Sequence, residues 1–530
     1  MKKTAAIIFR SLILILCGIA IGIMITDSNL TGRSFGSMNE EDKVSRIMQL
    51  IREKYVDTVN LNRIQGEAIN NVLQNLDPHS VYLPPQQAQS INERLDGGFD
   101  GIGIEYQLLR DTVFVTQVYP GGPAAKAGIL AGDRVLTVEG KPLSGSKLSA
   151  NKIDRLFRGE RNTTLHVVLA GMHNGKTRNC TLTRDHVDLS SLDAGYMLSD
   201  DIGYIKLSKF AATTDNDFRT SLKKLQTHGL QKLILDLRGN GGGYLNAATA
   251  MAGEFVPKGK LIVYTQGAHE PRTDYFATDT GLFRQGNLAV LIDEYSASAS
   301  EILAGCLQDL DRATLVGRRS FGKGLVQEQF PFDDGSAINL TVARYYTPSG
   351  RSIQKSYKKG IDSYHNEIAD RLRKGELYSA QSSMSDSAFR TASVYHTTKG
   401  KKVYSGGGIM PDIFIPADTI VNTVLVQELS DQQLFTAYVI DHLYPIFKKY
   451  PTEDDFIAGF NISDDQLHQF ILYASNTIKE MDSHELLISK PSIKTLLKAF
   501  AGRFQWGDNA YYRTVNGDDV CIKKGMNAVK

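Results

Sequence analysis

The sequence predicts a multidomain α+β protein. Its 530 residues are too many for one hydrophobic core, since a domain typically holds about 100 to 200 residues. Short β-rich segments separated by glycine and proline turns fill one region, strands alternating with helices fill the next, and helical patterns flank both. The predicted units are a helical N-terminal region at 38–95, a β-domain at 96–187, an α/β core at 188–417 and a helical C-terminal extension at 418–530.

The first 26 residues read as an export signal. Lys2, Lys3 and Arg10 precede the apolar run 11–26, and positive charges before such a run direct the following chain out of the cytoplasm. Counted from Ala5, the run has about the 20 residues that a bilayer needs. It is therefore either a cleaved signal peptide or an inner-membrane anchor formed by residues 5–26, and both predict a periplasmic or otherwise extracytoplasmic location.

Composition by itself names no ligand. Hydrophobic residues at 42% and charged residues at 22% are ordinary for a globular chain, and a formal charge of +2 gives no case for nucleic acid as a partner. The 4 cysteines have neither CxxC nor metal-ligand spacing, and no HExxH motif occurs. We therefore expect no disulfide framework, no metal and no other cofactor, while a homo-oligomer is compatible with the sequence.

The N-terminal unit is predicted to be helical because an amphipathic pattern runs from about Glu41 to Leu76. The Asp77-Pro78 pair then stops the helix.

The β-domain opens on the loop "GIGI", in which glycines allow backbone N–H groups to converge on an anion. The strand that follows offers an edge to which an extended peptide can add. With "GGPAAKAGILAGDRVLTVEG" at 121–140, this loop resembles a PDZ domain, and ordinary turns of a β-domain are the alternative. The resemblance implies capture of a C-terminal carboxylate by Gly101, Ile102, Gly103 and Ile104.

The α/β core contains two buried strands that each run into a turn and then a helix, "LILDLRGNGGGYL" and "LAVLIDEYSASASEIL". Each junction leaves backbone N–H groups unpaired at a helix start. A segment rich in Ser, Lys and Tyr, at 358–402, interrupts the core as an excursion or long loop. The extension at 418–530 shows helical patterns and no catalytic signature.

Three serines, Ser296, Ser298 and Ser300, alternate at the second junction. Ser298 and Glu301 match a capping box, which is a purely structural explanation. A serine at a strand-to-helix turn can alternatively expose its hydroxyl next to backbone N–H groups that hold an oxyanion.

A nucleophilic serine needs a base, and the histidines of the core lie in no recognisable catalytic motif. Lys323 in "GRRSFGKGLVQ" is flanked by glycines and apolar residues, and burial favours the neutral amine. If "GLVQ" is extended, Gln327 projects to the same face and orients that amine. The alternatives are a solvated lysine or a phosphate-binding loop, which lacks its Ser or Thr because Gly324 follows the lysine.

The stretch 295–327 is similar to the core signature of the C-terminal processing peptidases, exported serine proteases that contain a PDZ domain. "LDPHSVYL", "LDLRGNGGG", "YYTPSGRSIQ" and "GGIMPDI" occur in the family's order, so that the resemblance covers about residues 38–415. It implies a core of the crotonase and Clp protease type. It also implies these roles: Ser298 as nucleophile, Lys323 as base, Gln327 as its support, and backbone N–H groups of Gly242 or Gly243 and of Ala299 as the oxyanion hole.

The sequence therefore predicts an exported serine endopeptidase that needs neither ATP nor metal. Its PDZ domain would bind the C-termini of protein or peptide substrates and deliver the chain to Ser298, where an acyl-enzyme forms. The alternative is a catalytically silent PDZ scaffold on a protease-like core.

Overall fold

The computed structural model describes residues 43–144, 148–172, 175–278, 281–384, 392–418 and 423–530. The predicted export signal at 1–26 lies outside these ranges. Within them, no helix has the length and apolar character needed to cross a membrane. The chain divides into two compact units, Met1–Val72 and Leu73–Lys530.

From residue 43 onward, where the structure describes the chain, two helices stand where one was predicted, α1 (Lys43–Lys54) and α2 (Leu61–Leu73). The prediction of one continuous helix from Glu41 to Leu76 was wrong because the intervening residues include three β-branched side chains, which disfavour helix. Asn60 then caps the second helix, its side-chain oxygen accepting the Arg63 N–H at 3.1 Å.

The second unit starts with the short strand β1 (Val81–Leu83) and the helix α3 (Pro85–Asp96). The β-domain follows, with a sheet in the order β3-β4-β5-β7-β8, in which β6 pairs with β5, and with β2 paired to β9. Its strands are β2 (Gly98–Gly101), β3 (Ile104–Leu109), β4 (Thr112–Val118), β5 (Arg134–Val138), β6 (Lys141–Pro142), β7 (Thr164–Ala170), β8 (Thr177–Thr183) and β9 (Asp185–Asp188). Its helices are α4 (Pro123–Lys126) and α5 (Ala150–Phe157).

Strand β3 lies at the edge of this sheet, as the addition of a peptide strand requires. Helix α5 lies beside it, since the Tyr106 hydroxyl on β3 donates to Asp154 Oδ1 at 2.7 Å. Ile153 and Phe157 on the same helix join the apolar core of the domain. The helix is therefore fixed next to the edge strand.

The core of the second unit contains a sheet in the order β10-β11-β12-β15-β16-β21, parallel except for the pair β10 and β11. Its strands are β10 (Leu192–Met197), β11 (Ile202–Leu207), β12 (Lys232–Asp236), β15 (Leu288–Ile292), β16 (Thr314–Gly317) and β21 (Ile413–Phe414). Three helices belong to this part of the chain: α6 (Thr214–Gln226), α7 (Leu245–Gly253) and α8 (Ala299–Asp309). Strands covered on both faces become almost continuously apolar, and all five residues of β15 are buried.

A second, antiparallel sheet has the order β1-β18-β13-β14, with β17 also paired to β18. The members not yet given are β13 (Leu261–Gln266), β14 (Thr273–Phe276), β17 (Leu325–Pro331) and β18 (Ala337–Tyr346). The pairing of β1 with β18 brings the segment that follows Leu76 into the core.

The segment at 358–402, predicted to be an excursion or long loop, contains helices and strands among its described residues. It contains the helices α9 (Ile361–His365), α10 (Glu367–Arg373) and α11 (Ala380–Met384), and a hairpin of β19 (Val394–His396) and β20 (Lys402–Tyr404). Short helices of this kind lack a long apolar period, so the sequence pattern does not reveal them.

The C-terminal extension is helical, as predicted. Its helices are α12 (Val424–Asp431), α13 (Leu434–Tyr438), α14 (Glu453–Gly459), α15 (Asp464–Ala474), α16 (Ser483–Trp506), α17 (Asp508–Val515) and α18 (Val520–Ala528), with a π-turn at Val439–Leu443 and a 3₁₀ segment at Tyr444–Lys449. It packs on the β-domain, where Arg110 forms two 2.7 Å hydrogen bonds with Asp441. Cys521 and Ile522 join the apolar cluster on one face of the parallel sheet. The architecture confirms the predicted multidomain α+β class.

Candidate active site

The two strand-to-turn-to-helix junctions meet because β12 and β15 are parallel neighbours, with Leu235 beside Val290. Carboxyl ends of neighbouring parallel strands lie at the same edge of a sheet. The two turns are hydrogen-bonded to each other, since the Ala297 N–H donates to the Asn240 carbonyl at 3.0 Å. A Cβ on Gly242 would lie 2.8 Å from Ser298 Cβ, so only glycine fits there. This contact places the glycine turn directly against Ser298.

Ser298 differs from the two serines on either side of it. The Ser296 and Ser300 side chains are buried, and their hydroxyls donate to the carbonyls of Leu237 at 2.8 Å and Asn240 at 2.9 Å. Ser298 is half-buried and has a φ of 55°, a conformation that costs a non-glycine residue about 1–3 kcal/mol. Such strain persists only where surrounding contacts enforce it, and of the three serines Ser298 alone has a positive φ.

Glu301 supplies one of those contacts and links Ser298 to Lys323. Its side chain is fully buried, and its Oε2 accepts the Ser298 N–H at 2.9 Å and the Lys323 N–H at 2.8 Å. The other oxygen accepts the Gly322 N–H at 2.7 Å and the Ser320 hydroxyl. Burial raises the pKa of Glu301 to about 7, while these four hydrogen bonds act in the opposite direction. Glu301 therefore caps the start of helix α8, as its spacing from Ser298 suggests, and also binds the turn that carries Lys323.

Tyr345 holds the same two residues from their carbonyl side. Its buried hydroxyl lies 2.6 Å from the Lys323 carbonyl oxygen and 3.2 Å from the Ser298 carbonyl oxygen. Glu301 and Tyr345 thus bind the backbones of Ser298 and Lys323 at both polar groups. Two residues 25 positions apart in the chain are held as one rigid pair.

The electrostatic environment suits Lys323 to act as a base. Burial lowers the pKa of its amine to about 8, against opposing contributions from Glu301 and Asp77. About one molecule in ten then carries a neutral amine at pH 7, far more than for a solvated lysine. The structure contains no hydrogen bond between Ser298 Oγ and Lys323 Nζ, a contact that in free enzymes often tightens only when substrate binds.

The segment 76–80 forms the wall next to Lys323. Asp77 Oδ1 accepts hydrogen bonds from the Ser80 N–H at 3.0 Å and the Thr341 hydroxyl at 3.0 Å. Burial lowers the pKa of His79 to about 3, and the charge of Lys323 contributes to the same shift. His79 is therefore neutral at physiological pH, and its Nε2 lies 2.7 Å from the Tyr364 hydroxyl.

Gln327 forms no hydrogen bond with Lys323 in the structure, and its support of the Lys323 amine stays a prediction. The strand begins only at Leu325, and a β-bulge between Val326 and Gln327 breaks the alternation on which the prediction depended. The Gln327 amide instead donates to the Thr341 hydroxyl at 3.2 Å. Gln327 is therefore joined to Asp77 through Thr341.

The two glycines predicted as alternative oxyanion donors differ in whether their N–H groups already have a partner. The Gly242 N–H donates to Asn240 Oδ1 at 2.9 Å and is therefore already engaged. The N–H groups of Gly243 and Ala299 have no hydrogen-bond partner among the described residues. A Cβ on Gly243 would lie 2.0 Å from the Phe210 carbonyl oxygen, so this position also requires glycine.

The predicted peptide loop joins β2 to the edge strand β3. The Ile102 and Ile104 side chains are buried in the core of the β-domain. The carbonyls of Ile102 and Gly103 accept hydrogen bonds from Ala124 at 2.8 Å and Tyr119 at 3.0 Å. Gly103 has a φ of 80°, which glycine adopts without strain. The loop containing Gly101 is thus fixed at the start of the edge strand, and its capture of a carboxylate stays a prediction.

Sequence reasoning missed the parts played by Tyr345, Asp77 and Gln354. Gln354 Oε1 accepts the Gly324 N–H at 2.7 Å and so holds the turn that carries Lys323. All three lie in "LDPHSVYL" and "YYTPSGRSIQ", which were recognised as motifs without a role being assigned to these residues. Their presence in those motifs was the available signal.

Replacing Glu301 by Gln should lower kcat by about 10²-fold or more. The glutamine amide has one acceptor oxygen and one NH2 group, and the NH2 group faces two of the four groups that donate hydrogen bonds to the carboxylate. Depending on the orientation of the amide, the N–H groups of Ser298 and Lys323 or the donors of the turn before Lys323 lose their acceptor. The change also removes a charge that raises the pKa of Lys323, so the limb of the pH–rate profile on which the rate rises with pH should move to lower pH. Steady-state kinetics from pH 6 to 10 measures both effects.

Glu254→Gln is the matched control for this change. Glu254 is also buried, pairs with Arg219 and accepts the Leu282 N–H at 2.9 Å, but it lies outside the site. It should lower the melting temperature without moving the pH limb. Equal effects of the Glu301 and Glu254 variants on kcat and on the pH–rate profile would show that Glu301 contributes to folding in general and has no specific part in the site.

Three family models match the chain. Residues 201–363 match peptidase family S41, residues 114–170 match a PDZ domain, and residues 425–507 match a family of unknown function. The first two matches fall inside the predicted α/β core and the predicted β-domain.

Similar proteins carry protease names. The chain is 35% identical over 337 residues to a carboxy-terminal-processing protease of Bartonella bacilliformis, covering 63% of this chain and 76% of that protein. It is 32% identical over 324 residues to a probable CtpA-like serine protease of Staphylococcus aureus, covering 60% of this chain and 63% of that protein. Among solved structures, the photosystem II D1 C-terminal processing protease shares 30% identity and a TM-score of 0.33, over 59% of this chain and 84% of that one.

Proposed function

Because this chain belongs to the carboxy-terminal-processing serine proteases of peptidase family S41, which carry a PDZ domain, we propose that it is an exported endopeptidase with Ser298 as nucleophile and Lys323 as base. The observation that carries this proposal is the shared bracing of the two residues by Glu301 and Tyr345. A scaffold without chemistry has no need to hold a strained serine and a buried lysine as a pair.

In the proposed mechanism the neutral Lys323 amine takes the proton of Ser298 Oγ, and the oxygen attacks the carbonyl carbon of the scissile peptide bond. The N–H groups of Gly243 and Ala299 are available to stabilise the oxyanion that forms. The Lys323 ammonium then returns the proton to the departing amine, which leaves an acyl-enzyme on Ser298. Lys323 activates a water molecule to hydrolyse the ester, and the enzyme is restored.

Gln327 acts in this mechanism through two intermediaries. Its amide orients the Thr341 hydroxyl, which donates to Asp77, and Asp77 attracts the Lys323 ammonium. We therefore assign Gln327 as a positioning residue for the base.

The PDZ domain is proposed to bind the C-terminal end of the substrate. The carboxylate would contact the loop Gly101, Ile102, Gly103 and Ile104, and the preceding residues would pair with the edge strand β3. Processing proteases of this family are typically extracytoplasmic, and the basic residues before the apolar run 11–26 favour the same location for this chain.

A pair of reporter peptides tests the proposal and its alternative, a silent PDZ scaffold. The full chain is incubated with an unstructured peptide that ends in a free carboxylate and with the same peptide amidated at its C-terminus. Mass spectrometry should show internal cleavage of the first and several-fold slower cleavage of the second. Binding of the first without any fragment would establish the scaffold instead, while equal cleavage of both would overturn carboxylate capture and leave the protease assignment standing.

A further inference from the structure

A cavity of about 740 Å³ lies beside the turn that carries Lys323. Two of its lining residues hold that turn, since Gln354 Oε1 accepts the Gly324 N–H at 2.7 Å and the Lys355 N–H donates to the Gly322 carbonyl at 2.9 Å. Helices α9 and α10 of the excursion supply the opposite wall. The excursion therefore builds a cavity next to the base of the proposed reaction.

The floor of this cavity contains an excess of buried positive charge. Lys355 and Arg371 line it, and Arg319 lies behind them, all three at least 96% buried. They share two carboxylates: Lys355 Nζ and Arg319 Nη2 each lie 3.2 Å from Glu367, and Arg319 and Arg371 both bind Glu376. Burial and, to a lesser degree, the charge of the neighbouring Arg319 lower the pKa of Arg371, while Glu376 and Glu367 oppose this shift.

The rim of the cavity adds further positive charge. It carries four cationic residues that form no ion pair with any described residue: Arg344, Lys358, Lys359 and Lys374. Arg344 instead donates to the Tyr357 hydroxyl at 3.2 Å. The carboxylate of Asp370 also lines the cavity, but it is paired with Arg373. The cavity as a whole is therefore cationic, although the entire chain has a formal charge of only +2.

We propose that this cavity binds an acidic segment of the substrate and so gives the protease a preference for peptides with Asp or Glu close to the cleaved bond. The proposal rests on the peptidase function, because the ligand is the chain that lies in the active site. Cavities of roughly 300 to 1,000 Å³ hold ligands the size of a short peptide segment. Clustered cations in a partly enclosed site attract carboxylates more strongly than the same charges on an open surface.

The location favours a peptide over a nucleic acid as the occupant. The cavity adjoins the turn that carries the base, so a polypeptide bound at Ser298 has residues within reach of it, and the +2 charge of the whole chain supplies no wider attraction for a polyanion. The excursion would thus give the peptidase core its recognition of acidic residues, because its helices line the cavity next to the turn that carries Lys323.

Binding of labelled peptides to the full chain carrying Ser298→Ala tests the proposal without depending on catalysis. An acidic peptide and its Asn/Gln counterpart, both amidated to suppress capture by the PDZ domain, are compared by fluorescence anisotropy at two salt concentrations. The acidic peptide should bind more tightly, and added salt should reduce the difference. Lys358→Glu/Lys359→Glu should lower the affinity for the acidic peptide about tenfold and change that for its counterpart much less.

Lys223→Glu/Lys224→Glu provides the matched control, because it reverses another adjacent pair of exposed lysines, on helix α6. This variant should keep the acidic preference. An equal loss of affinity for the acidic peptide in both double variants would overturn the proposal, and so would the absence of an acidic preference in the Ser298→Ala chain. Stronger competition for the cavity by a single-stranded oligonucleotide or by inorganic phosphate than by the acidic peptide would overturn it as well. A negative result in this binding assay does not bear on the cleavage of reporter peptides. The acidic preference and the peptidase function can therefore be refuted independently of each other.

Discussion

Ser298→Ala should abolish peptide cleavage, with a loss in kcat of at least about 10⁴-fold. The variant removes the oxygen that forms the acyl-enzyme, and no other described hydroxyl occupies the same position, since Ser296 and Ser300 donate to buried carbonyls. The strained φ of 55° remains enforced by Glu301 and Tyr345, so the melting temperature should change little. Single-turnover assays with a fluorogenic peptide, together with thermal unfolding, measure both quantities.

Ser300→Ala is the matched control for the nucleophile. It deletes an equivalent hydroxyl two residues away, and the Asn240 carbonyl keeps its hydrogen bond from the Ala297 N–H at 3.0 Å. We expect a cost of about 1 kcal/mol in stability and continued cleavage. Near-normal cleavage by Ser298→Ala, or a Ser300→Ala enzyme that folds but does not cleave, would contradict the assignment of the nucleophile.

Lys323→Ala should lower kcat by a similar factor, about 10³- to 10⁴-fold or more, because no other described base is placed to replace it. The His79 imidazole interacts electrostatically with Lys323, but burial and the charge of Lys323 lower its pKa to about 3, which makes it a poor proton acceptor. Peptide binding to the PDZ domain should persist, so the loss belongs to kcat. Kinetics with the carboxylate-terminated reporter, beside anisotropy with the same peptide, separates the two effects.

Lys323→Arg sharpens this test. Arginine keeps the positive charge beside Glu301 and Asp77 but holds its proton at any pH that the protein tolerates. A role in stabilising charge alone would leave the Arg variant active, whereas a role as proton acceptor requires both variants to be inactive. An active Lys323→Arg enzyme would contradict the proposed chemistry.

The fold was predictable because its signals are local. Apolar strands followed by glycine turns and helices predict the two junctions, and parallel pairing of β12 with β15 then brings them together. The helix break at 55–60 and the short helices of the excursion were missed because they depend on caps and tertiary packing more than on apolar periodicity.

The site was predictable only in part. Residue types and motifs predicted roles for Ser298 and Lys323, and the structure holds the two residues together. Glu301 resembled an ordinary helix cap, since nothing in the local pattern shows that its carboxylate also accepts hydrogen bonds from the N–H groups of residues 322 and 323. Gln327 was placed by assuming regular alternation, which a β-bulge interrupts. The Gly242 N–H is occupied by the side chain of Asn240, a contact made by the folded turn.

The pH dependence of kcat/KM tests the central claim, that a buried neutral lysine activates Ser298, most directly. Since the free amine is the active form, kcat/KM should rise about tenfold per pH unit below pH 8 and level off above the Lys323 pKa of about 8. Asp77→Asn removes a charge that raises this pKa, so the limb should move to lower pH. A profile that is flat from pH 6 to 10 would contradict the account. A rising limb that Asp77→Asn does not move would also contradict it, and would assign the titration to another group such as Glu301.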